Sequence, residues 1–194
     1  GGNNFQTQYN NLVWQDEFDV DGAPDAANWT YDLGAGGWGN SEEQTYTNST
    51  DNAVVDGGFL KITAIENGGA YTSARLKSED LYEFTYGRVE VRAKLPASQG
   101  TWPAIWMLGE DYQTNTWPGC GEIDIMEQKG QDKSTVLGTV HHPAVSPGSG
   151  DGATTSLPTS TTEFHNYTVE WTPTQIIFLV DDFVYHTVDN NATL

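Results

Sequence analysis

Three carboxylates lie within six residues of the sequence, at Glu122, Asp124 and Glu127. Large apolar and β-branched side chains separate them, a composition that predicts a β-strand. Because side chains alternate between the two faces of a strand, Glu122 and Asp124 would share one face. Two carboxylates held close together on one face can break a glycosidic bond, one as the nucleophile and the other as the general acid and base.

Glu127 falls on the wrong face of a regular strand. Strict alternation would place it with Ile123 in the core, and an unpaired buried carboxylate is costly. One extra residue, a β-bulge at Ile125 or Met126, resets the alternation and brings Glu127 to the face of the other two acids. We therefore predict a bulged strand, with Glu122 and Glu127 converging to the separation of about 5 to 5.5 Å that a retaining glycosidase needs.

A solvated acidic face is the simpler interpretation of these three acids. It does not explain the apolar residues between them or the tryptophans on either side. Trp102 and Trp106 precede the acids, and Trp117 comes five residues before Glu122. Indole can stack on the flat C–H face of a sugar ring, and its N–H can bond a hydroxyl, so we favour a cleft lining over a core position for these tryptophans.

The segment Glu-Ile-Asp-Ile-Met-Glu at 122–127 resembles the signature of family 16 of the glycoside hydrolases, in its bulged E-x-D-x-x-E form. Further segments are similar to the laminarinase branch of that family, the endo-1,3-β-glucanases: 37–42, 100–108, 117–121 and 139–141. The resemblance runs from about Trp14 to His186, which is nearly the whole chain.

The resemblance implies an endo-acting enzyme that hydrolyses internal β-1,3-glucosidic bonds of laminarin-type β-glucans with retention of configuration. Glu122 would attack the anomeric carbon, and Glu127 would act first as general acid and then as general base. Asp124 would orient Glu122 and buffer the change of charge. No cofactor is expected for this chemistry.

Two other functions are compatible with the sequence. Within the same chemistry, the substrate would be mixed-linkage β-glucan, agarose or carrageenan, although the few basic residues disfavour sulfated galactans. From another class, the chain would be a non-catalytic, lectin-like glucan-binding domain, which needs aromatic side chains but no pair of acids. The intact pair of Glu122 and Glu127 favours an enzyme.

The resemblance also implies sugar contacts at Asn40, Arg75 and His141. Asn40 is also explained as a turn residue that tolerates unusual backbone angles. Arg75 lies in a predicted strand of a chain with only eight basic residues, so that a structural ion pair competes with a sugar contact. His141 and His142 together suggest zinc, but no third ligand appears at a useful spacing.

Many short apolar segments separated by turn residues predict an all-β sandwich. The predicted strands are residues 13–18, 29–32, 53–55, 58–65, 71–77, 87–95, 102–108, 134–141, 167–171, 175–180 and 183–188. Residues 144–162, rich in Ser, Thr, Gly and Pro, predict a long surface loop. The resemblance implies a concanavalin-like β-jelly-roll of two curved antiparallel sheets, and we expect one catalytic domain over 1–194.

The resembling enzymes continue past the point where this chain stops, at Leu194. We therefore expect the domain to be incomplete at its C-terminus, with the remaining strands either in a separate segment or in a continuation of the same chain. A structural calcium site would use Glu17 and the backbone of Gly58, plus an Asp beyond Leu194. Because Ca²⁺ takes about 6 to 8 oxygen ligands, the first two donors alone do not complete a site.

The charge of the chain disfavours two classes of partner. Its 194 residues include 27 Asp and Glu against 8 Lys and Arg, a net charge of −19. Such a field repels nucleic acid and anionic membrane surfaces and suits a neutral glucan. The single cysteine, Cys120, forms no disulfide within the chain, and the sequence has no apolar run of membrane-spanning length. We expect a secreted, extracellular, monomeric protein that acts on a polysaccharide.

Overall fold

The computed structural model describes residues 8–146 and 148–190, which form short strands joined by turns. Contacts divide the chain into two compact units, one ending at Glu83 and the other beginning at Phe84. Among the described residues the one helical element is a single 3₁₀ turn, Gly37–Gly39, and no helix there has the length and apolar character needed to cross a membrane.

The first unit contains three small sheets. Its strands are β1 (Thr30–Asp32), β2 (Thr45–Tyr46), β3 (Ala53–Asp56), β4 (Phe59–Ile62), β5 (Ile65–Asn67), β6 (Ala70–Ser73) and β7 (Arg75–Lys77). They pair as β1-β7, β2-β6-β5 and β3-β4. Strands β3 and β4 form an antiparallel hairpin, with Gly57 and Gly58 at φ values of 61° and 85° in its turn. Glycine adopts such angles without strain, which suits a tight hairpin.

The second unit consists of two four-stranded antiparallel sheets. Its strands are β8 (Gly87–Ala93), β9 (Ala104–Leu108), β10 (Glu122–Glu127), β11 (Thr135–His141), β12 (Asp151–Ser156), β13 (His165–Trp171), β14 (Gln175–Val180) and β15 (Phe183–Asp189). The strand orders are β12-β11-β10-β9 in one sheet and β15-β14-β13-β8 in the other.

The core of the second unit lies between these two sheets. The first sheet contributes the buried side chains Ile123, Ile125, Met126, Val136 and Val140. The second contributes Tyr167, Val169, Ile176, Phe178, Val180 and Val188. Two antiparallel sheets that share one apolar core form a sandwich, so the predicted all-β jelly-roll class is confirmed.

The loop predicted over residues 144–162 is wrong in its middle, because β12 occupies Asp151–Ser156. This strand pairs with β11 along its full length. Its small and polar side chains gave no apolar alternation from which a strand could be predicted. His186 of β15 reaches β12, where its Nε2–H donates to the backbone carbonyl of Asp151 at 3.2 Å, so the edges of the two sheets are linked.

Three other predicted strands need correction. Residues 13–18 form no strand; there Asp16 accepts hydrogen bonds from the side chains of Asn28 and Trp29 instead. The strand predicted at 58–65 ends at Ile62, and the one at 71–77 is interrupted at Ala74. In both cases the successive parts pair with different strands, so each predicted strand is divided between two sheets.

Arg88 on β8 connects three carboxylates in the second unit. Its guanidinium lies 2.6 Å from Glu170 on β13, 2.8 Å from Glu90 and 2.7 Å from Asp182. Asp182 belongs to the turn between β14 and β15. One cation therefore joins two neighbouring strands and a hairpin turn.

The expectation of a single catalytic domain stays a prediction. The end of the chain, residues 191–194, lies outside the described residues.

Candidate active site

Strand β10 contains the predicted bulge, and its position is Ile125. On the β9 side, Trp106 pairs with Asp124 and the next residue, Ile105, pairs with Met126. Ile125 is therefore the extra residue on that side of β10. This is a β-bulge, in which the side-chain alternation shifts by one position.

The bulge separates the side chains of β10 as the sequence predicted. Ile125 and Met126 are only 2% and 1% exposed and both lie in the core, whereas Glu122 and Glu127 are half-buried. On the β11 side, two residues of β10 face the single residue Gly138. A Cβ atom at that glycine would lie only 2.5 Å from Phe178. The opposing strand β11 therefore carries no side chain at the position where the bulge adds a residue to β10.

Asp124 is the central member of the three acids. It is 4% exposed, and its carboxyl lies within hydrogen-bonding range of both Glu122 and Glu127. Burial raises the pKa of Glu122, and the neighbouring Asp124 raises it further. Burial also raises the pKa of Asp124, and the negative charge of Glu127 adds to that shift. The cluster therefore tends to keep a proton where isolated carboxyls would lose theirs.

His141 on β11 lies directly across from Glu122. Its Nε2 is 3.2 Å from Oδ2 of Asp124 and 3.6 Å from Oε2 of Glu122. Its Nδ1 is 3.2 Å from the hydroxyl of Ser146. Within the described residues, Glu122, Asp124 and His141 form the one group of three potential metal ligands, with atoms within 4.8 Å of one another. His142 does not belong to this group, so a zinc site built on the two adjacent histidines is not formed.

Two of the predicted tryptophans lie beside these groups with much of their rings exposed. Trp102 is 44% exposed, and its indole N–H donates to Oε1 of Glu127 at 2.9 Å. Trp117 is 45% exposed, and its ring centroid is 5.6 Å from that of His141. Exposed indole rings beside a set of carboxyls are suited to hold a sugar next to the reacting groups.

Trp106, the third predicted tryptophan, is half-buried on β9. It pairs directly with Asp124. Directly opposed residues of antiparallel strands point to the same face of the sheet, so Trp106 lies on the face of the acids.

The two remaining predicted sugar contacts belong to the first unit. The side-chain amide of Asn40 donates to Oε2 of Glu42 at 2.9 Å. Arg75 makes the structural ion pair that the sequence had left open, with Nε 2.7 Å from Asp32. Its guanidinium also lies over the ring of Trp38, 4.3 Å from the centroid. A sugar-binding role for either residue stays a prediction.

The two residues predicted to bind calcium do not complete a site. Glu17 and Gly58 are both exposed, and Glu17 belongs to no group of three side-chain ligands in the described part of the chain. One carboxylate and one backbone carbonyl fall short of the ligand number that Ca²⁺ requires.

Sequence reasoning missed the buried polar residue that follows the acids in β10, Gln128. Gln128 follows Glu127 directly and is fully buried, with its side-chain amide donating to Ser160 Oγ at 2.9 Å and to the carbonyl of Thr135 at 3.2 Å. Its position was the available signal, because alternation after the bulge puts Glu127 on the face of the acids and Gln128 on the core face, where an amide needs partners.

Comparison with known proteins gives one family. The profile of the glycosyl hydrolases family 16 matches residues 40–194. A beta-glucanase of Rhodothermus marinus is 48% identical over 92% of this chain and 65% of its own length. The glucan endo-1,3-beta-glucosidase A1 of Niallia circulans is 37% identical over 93% of this chain and 30% of its own length. The chain thus spans less than two thirds of either curated relative.

A solved structure gives the same result. The laminarinase from Rhodothermus marinus matches the chain with a TM-score of 0.86 and 47% sequence identity, over 92% of this chain and 74% of that one.

Proposed function

The chain belongs to the glycosyl hydrolases family 16, and on that premise we propose that it hydrolyses internal β-1,3-glucosidic bonds of laminarin-type glucans with retention of configuration. The bulge at Ile125 is the observation that carries this proposal. It places Glu122, Asp124 and Glu127 on one face of a sheet, with exposed tryptophans beside them. A lectin has no need of three converging acids, and their mutual repulsion is costly without a catalytic use.

In the proposed reaction, Glu122 attacks the anomeric carbon and forms a covalent glycosyl-enzyme. Glu127 protonates the departing glycosidic oxygen and later takes a proton from the attacking water. Asp124, in contact with both glutamates, shares a proton with Glu122 in the free enzyme and accepts the redistribution of charge when Glu122 becomes bonded to the sugar. No catalytic cofactor enters this scheme.

We assign sugar binding to the aromatic residues around the acids. Trp102 and Trp117 present exposed rings on which a glucose unit can stack. His141 is assigned to the same subsite region because it contacts Asp124 and Glu122 through Nε2. Asn40 and Arg75 are assigned as further sugar contacts on the resemblance to the family alone. An enzyme whose substrate is a polymer too large to enter a cell acts outside it, which supports secretion.

A substrate panel tests the activity. Release of reducing ends from laminarin, lichenan, agarose and carrageenan is measured with the purified protein, and the anomeric configuration of the first product is followed by NMR. We expect laminarin to be cleaved fastest, at internal bonds and with retention. Faster cleavage of lichenan or of a galactan would assign another polysaccharide, and binding to laminarin without product would assign a lectin.

Two substitutions test the assignment of roles. Glu122→Gln and Glu127→Gln are each expected to lower kcat on laminarin by about three orders of magnitude or more, while affinity electrophoresis in laminarin gels shows retained binding. Glu163→Gln, at an exposed position of the second unit, is the matched control and should keep full activity. Normal turnover by the Glu122 variant would refute the proposed nucleophile.

A further inference from the structure

The imidazole of His141 is held by contacts on both of its nitrogens, and we infer that Ser146 is the residue that positions it for catalysis. This inference rests on the proposed function for its catalytic meaning. Nε2 points to the acids, 3.2 Å from Asp124 and 3.6 Å from Glu122. Nδ1, on the other side of the ring, is 3.2 Å from Oγ of Ser146.

Ser146 is fixed by its own backbone. Its N–H donates to the carbonyl of His142 at 3.0 Å, which closes a turn directly after β11. The residue is only 6% exposed, so water has little access to its hydroxyl. A buried hydroxyl held in a closed turn beside Nδ1 is a preorganised partner for the imidazole.

Gly150 leaves room for the imidazole ring of His141 because it has no side chain. Its φ is +78°, an angle that glycine adopts readily. A Cβ atom at this position would lie 2.8 Å from both Cε1 and Nδ1 of His141, closer than carbon and nitrogen atoms normally approach. The imidazole therefore lies against bare backbone on this side, while the ring of Trp117 lies 5.6 Å away, centroid to centroid.

The two contacts of the imidazole determine where its proton lies. The proton that Glu122 and Asp124 share lies between the two carboxyls, so their oxygens that face His141 accept hydrogen bonds and Nε2 carries the proton of that contact. In the neutral imidazole Nδ1 is then an acceptor, and the Ser146 hydroxyl donates to it. When the imidazole is protonated, Nδ1–H donates to the same hydroxyl oxygen. Serine can form a hydrogen bond with Nδ1 of both the neutral and the protonated imidazole, whereas alanine can form one with neither.

Loss of the hydroxyl should therefore change the tautomer of His141. Without a donor at Nδ1, the form with the proton on Nδ1 becomes competitive, because Nε2 can then accept a hydrogen bond from the proton that Glu122 and Asp124 share. Asp124 would lose a hydrogen-bond donor that it needs when Glu122 passes from free carboxylate to glycosyl ester. The consequence is a lower rate of the chemical step with little change in substrate binding.

The test combines NMR with kinetics on the full-length protein. The ¹⁵N shifts of His141 give the tautomer directly, and they are assigned by comparison with a His141→Gln variant. Ser146→Ala should raise the Nδ1–H fraction and lower kcat on laminarin by about three- to tenfold at unchanged KM. Ser146→Thr, which keeps the hydroxyl, should restore the Nε2–H form and most of kcat.

Matched controls separate positioning from folding. Ser134→Ala removes a hydroxyl that donates to Asp132 on an exposed turn, and it should change neither the tautomer nor kcat. If Ser146→Ala does not fold, Ser146→Cys keeps nearly the same volume with a weaker donor and should show a smaller shift in the same direction.

Two results would overturn the inference, and a third would separate it from the proposed function. An unchanged tautomer in Ser146→Ala overturns it, whether or not kcat falls, because a fall would then have a purely structural origin. A shifted tautomer with unchanged kcat overturns the catalytic role of the contact. If the parent protein cleaves no glucan, the proposed function fails, whereas the NMR comparison still decides whether Ser146 positions His141.

Discussion

The indole N–H of Trp102 donates a hydrogen bond to Oε1 of Glu127 over 2.9 Å. The same ring is 44% exposed, so that its edge contacts a catalytic candidate while its face is open to a sugar. A sugar that stacks on this ring would therefore also fix the side chain of Glu127. In this arrangement the proposed substrate binding and the orientation of the proposed general acid depend on one residue.

Trp102→Phe keeps an aromatic face but removes the N–H. We expect kcat on laminarin to fall about tenfold, because Glu127 loses a partner that orients it, and KM to change by less than about threefold. Steady-state kinetics measure both. Trp117→Phe is the control, since that ring contacts His141, and its effect should fall mainly on KM. Equal changes in both variants would mean that the hydrogen bond has no separate role.

Asp124→Asn should alter how stability depends on pH. Burial raises the pKa values of Glu122 and Asp124 in the folded protein. The native state therefore binds more protons than the unfolded chain between the unfolded-state pKa of about 4 and the raised pKa values of the folded state. The free energy of unfolding falls as pH rises through this range. The variant lacks one of these titrations, so its Tm relative to the parent should increase from about pH 5 to about pH 8 by a few degrees.

Thermal melts at several pH values measure this difference. Asp132→Asn is the control, because Asp132 lies on an exposed turn and the side chains of Thr135 and Ser134 hold its pKa below the usual value. It titrates only at acid pH, and its melts should run parallel to those of the parent over the same range. A Tm difference between Asp124→Asn and the parent that does not change with pH would show that burial does not raise the pKa values of these acids.

Ser160→Ala should destabilise the protein through a buried amide. Ser160 and Gln128 are both fully buried, and the serine hydroxyl accepts from Gln128 and donates to the carbonyl of Lys133 at 2.8 Å. Removal takes one of the two hydrogen bonds of the Gln128 amide and the side-chain donor to the Lys133 carbonyl, and we expect the free energy of unfolding to fall by about 1–3 kcal/mol. Denaturant titration measures it, and Ser134→Ala should stay within about 0.5 kcal/mol of the parent.

Gly138→Ala should overpack the core opposite the bulge. The added Cβ would lie 2.5 Å from Cδ1 of Phe178 and 2.5 Å from the hydroxyl oxygen of Tyr185. We expect a loss of about 1–3 kcal/mol in the free energy of unfolding. Phe178→Leu in the same chain makes room, so the double variant should lose less than the sum of the single losses. Strict additivity would contradict a steric cause.

The bulge was predictable because one residue was out of phase. Glu127 would have been buried by a regular strand, and the cost of a buried carboxylate pointed to an extra residue at Ile125 or Met126. The structure places that residue at Ile125. Apolar segments separated by turn residues gave β13, β14 and β15 nearly to the residue.

Other features were hidden because they depend on contacts distant in sequence. Strand β12 is stabilised by its pairing with β11 rather than by apolar alternation of its own. The partner of Arg75 could not be chosen between a sugar and an acid, because Asp32 lies 43 positions away in the sequence. Ser146 gave no signal, since a serine in a polar segment is unremarkable until the fold brings it to His141.

The three carboxylates around Arg88 have a consequence for how this acidic chain tolerates change. Glu90, Glu170 and Asp182 share the guanidinium of Arg88 as their common counterion. With 8 basic residues against 27 acidic ones, the chain has few replacements for such a shared counterion. Loss of an acid from this cluster leaves two others to satisfy the arginine, whereas loss of the arginine turns three attractions into mutual repulsion. We therefore expect substitutions to be tolerated at many of the acidic positions and to be tolerated less often at the few basic ones.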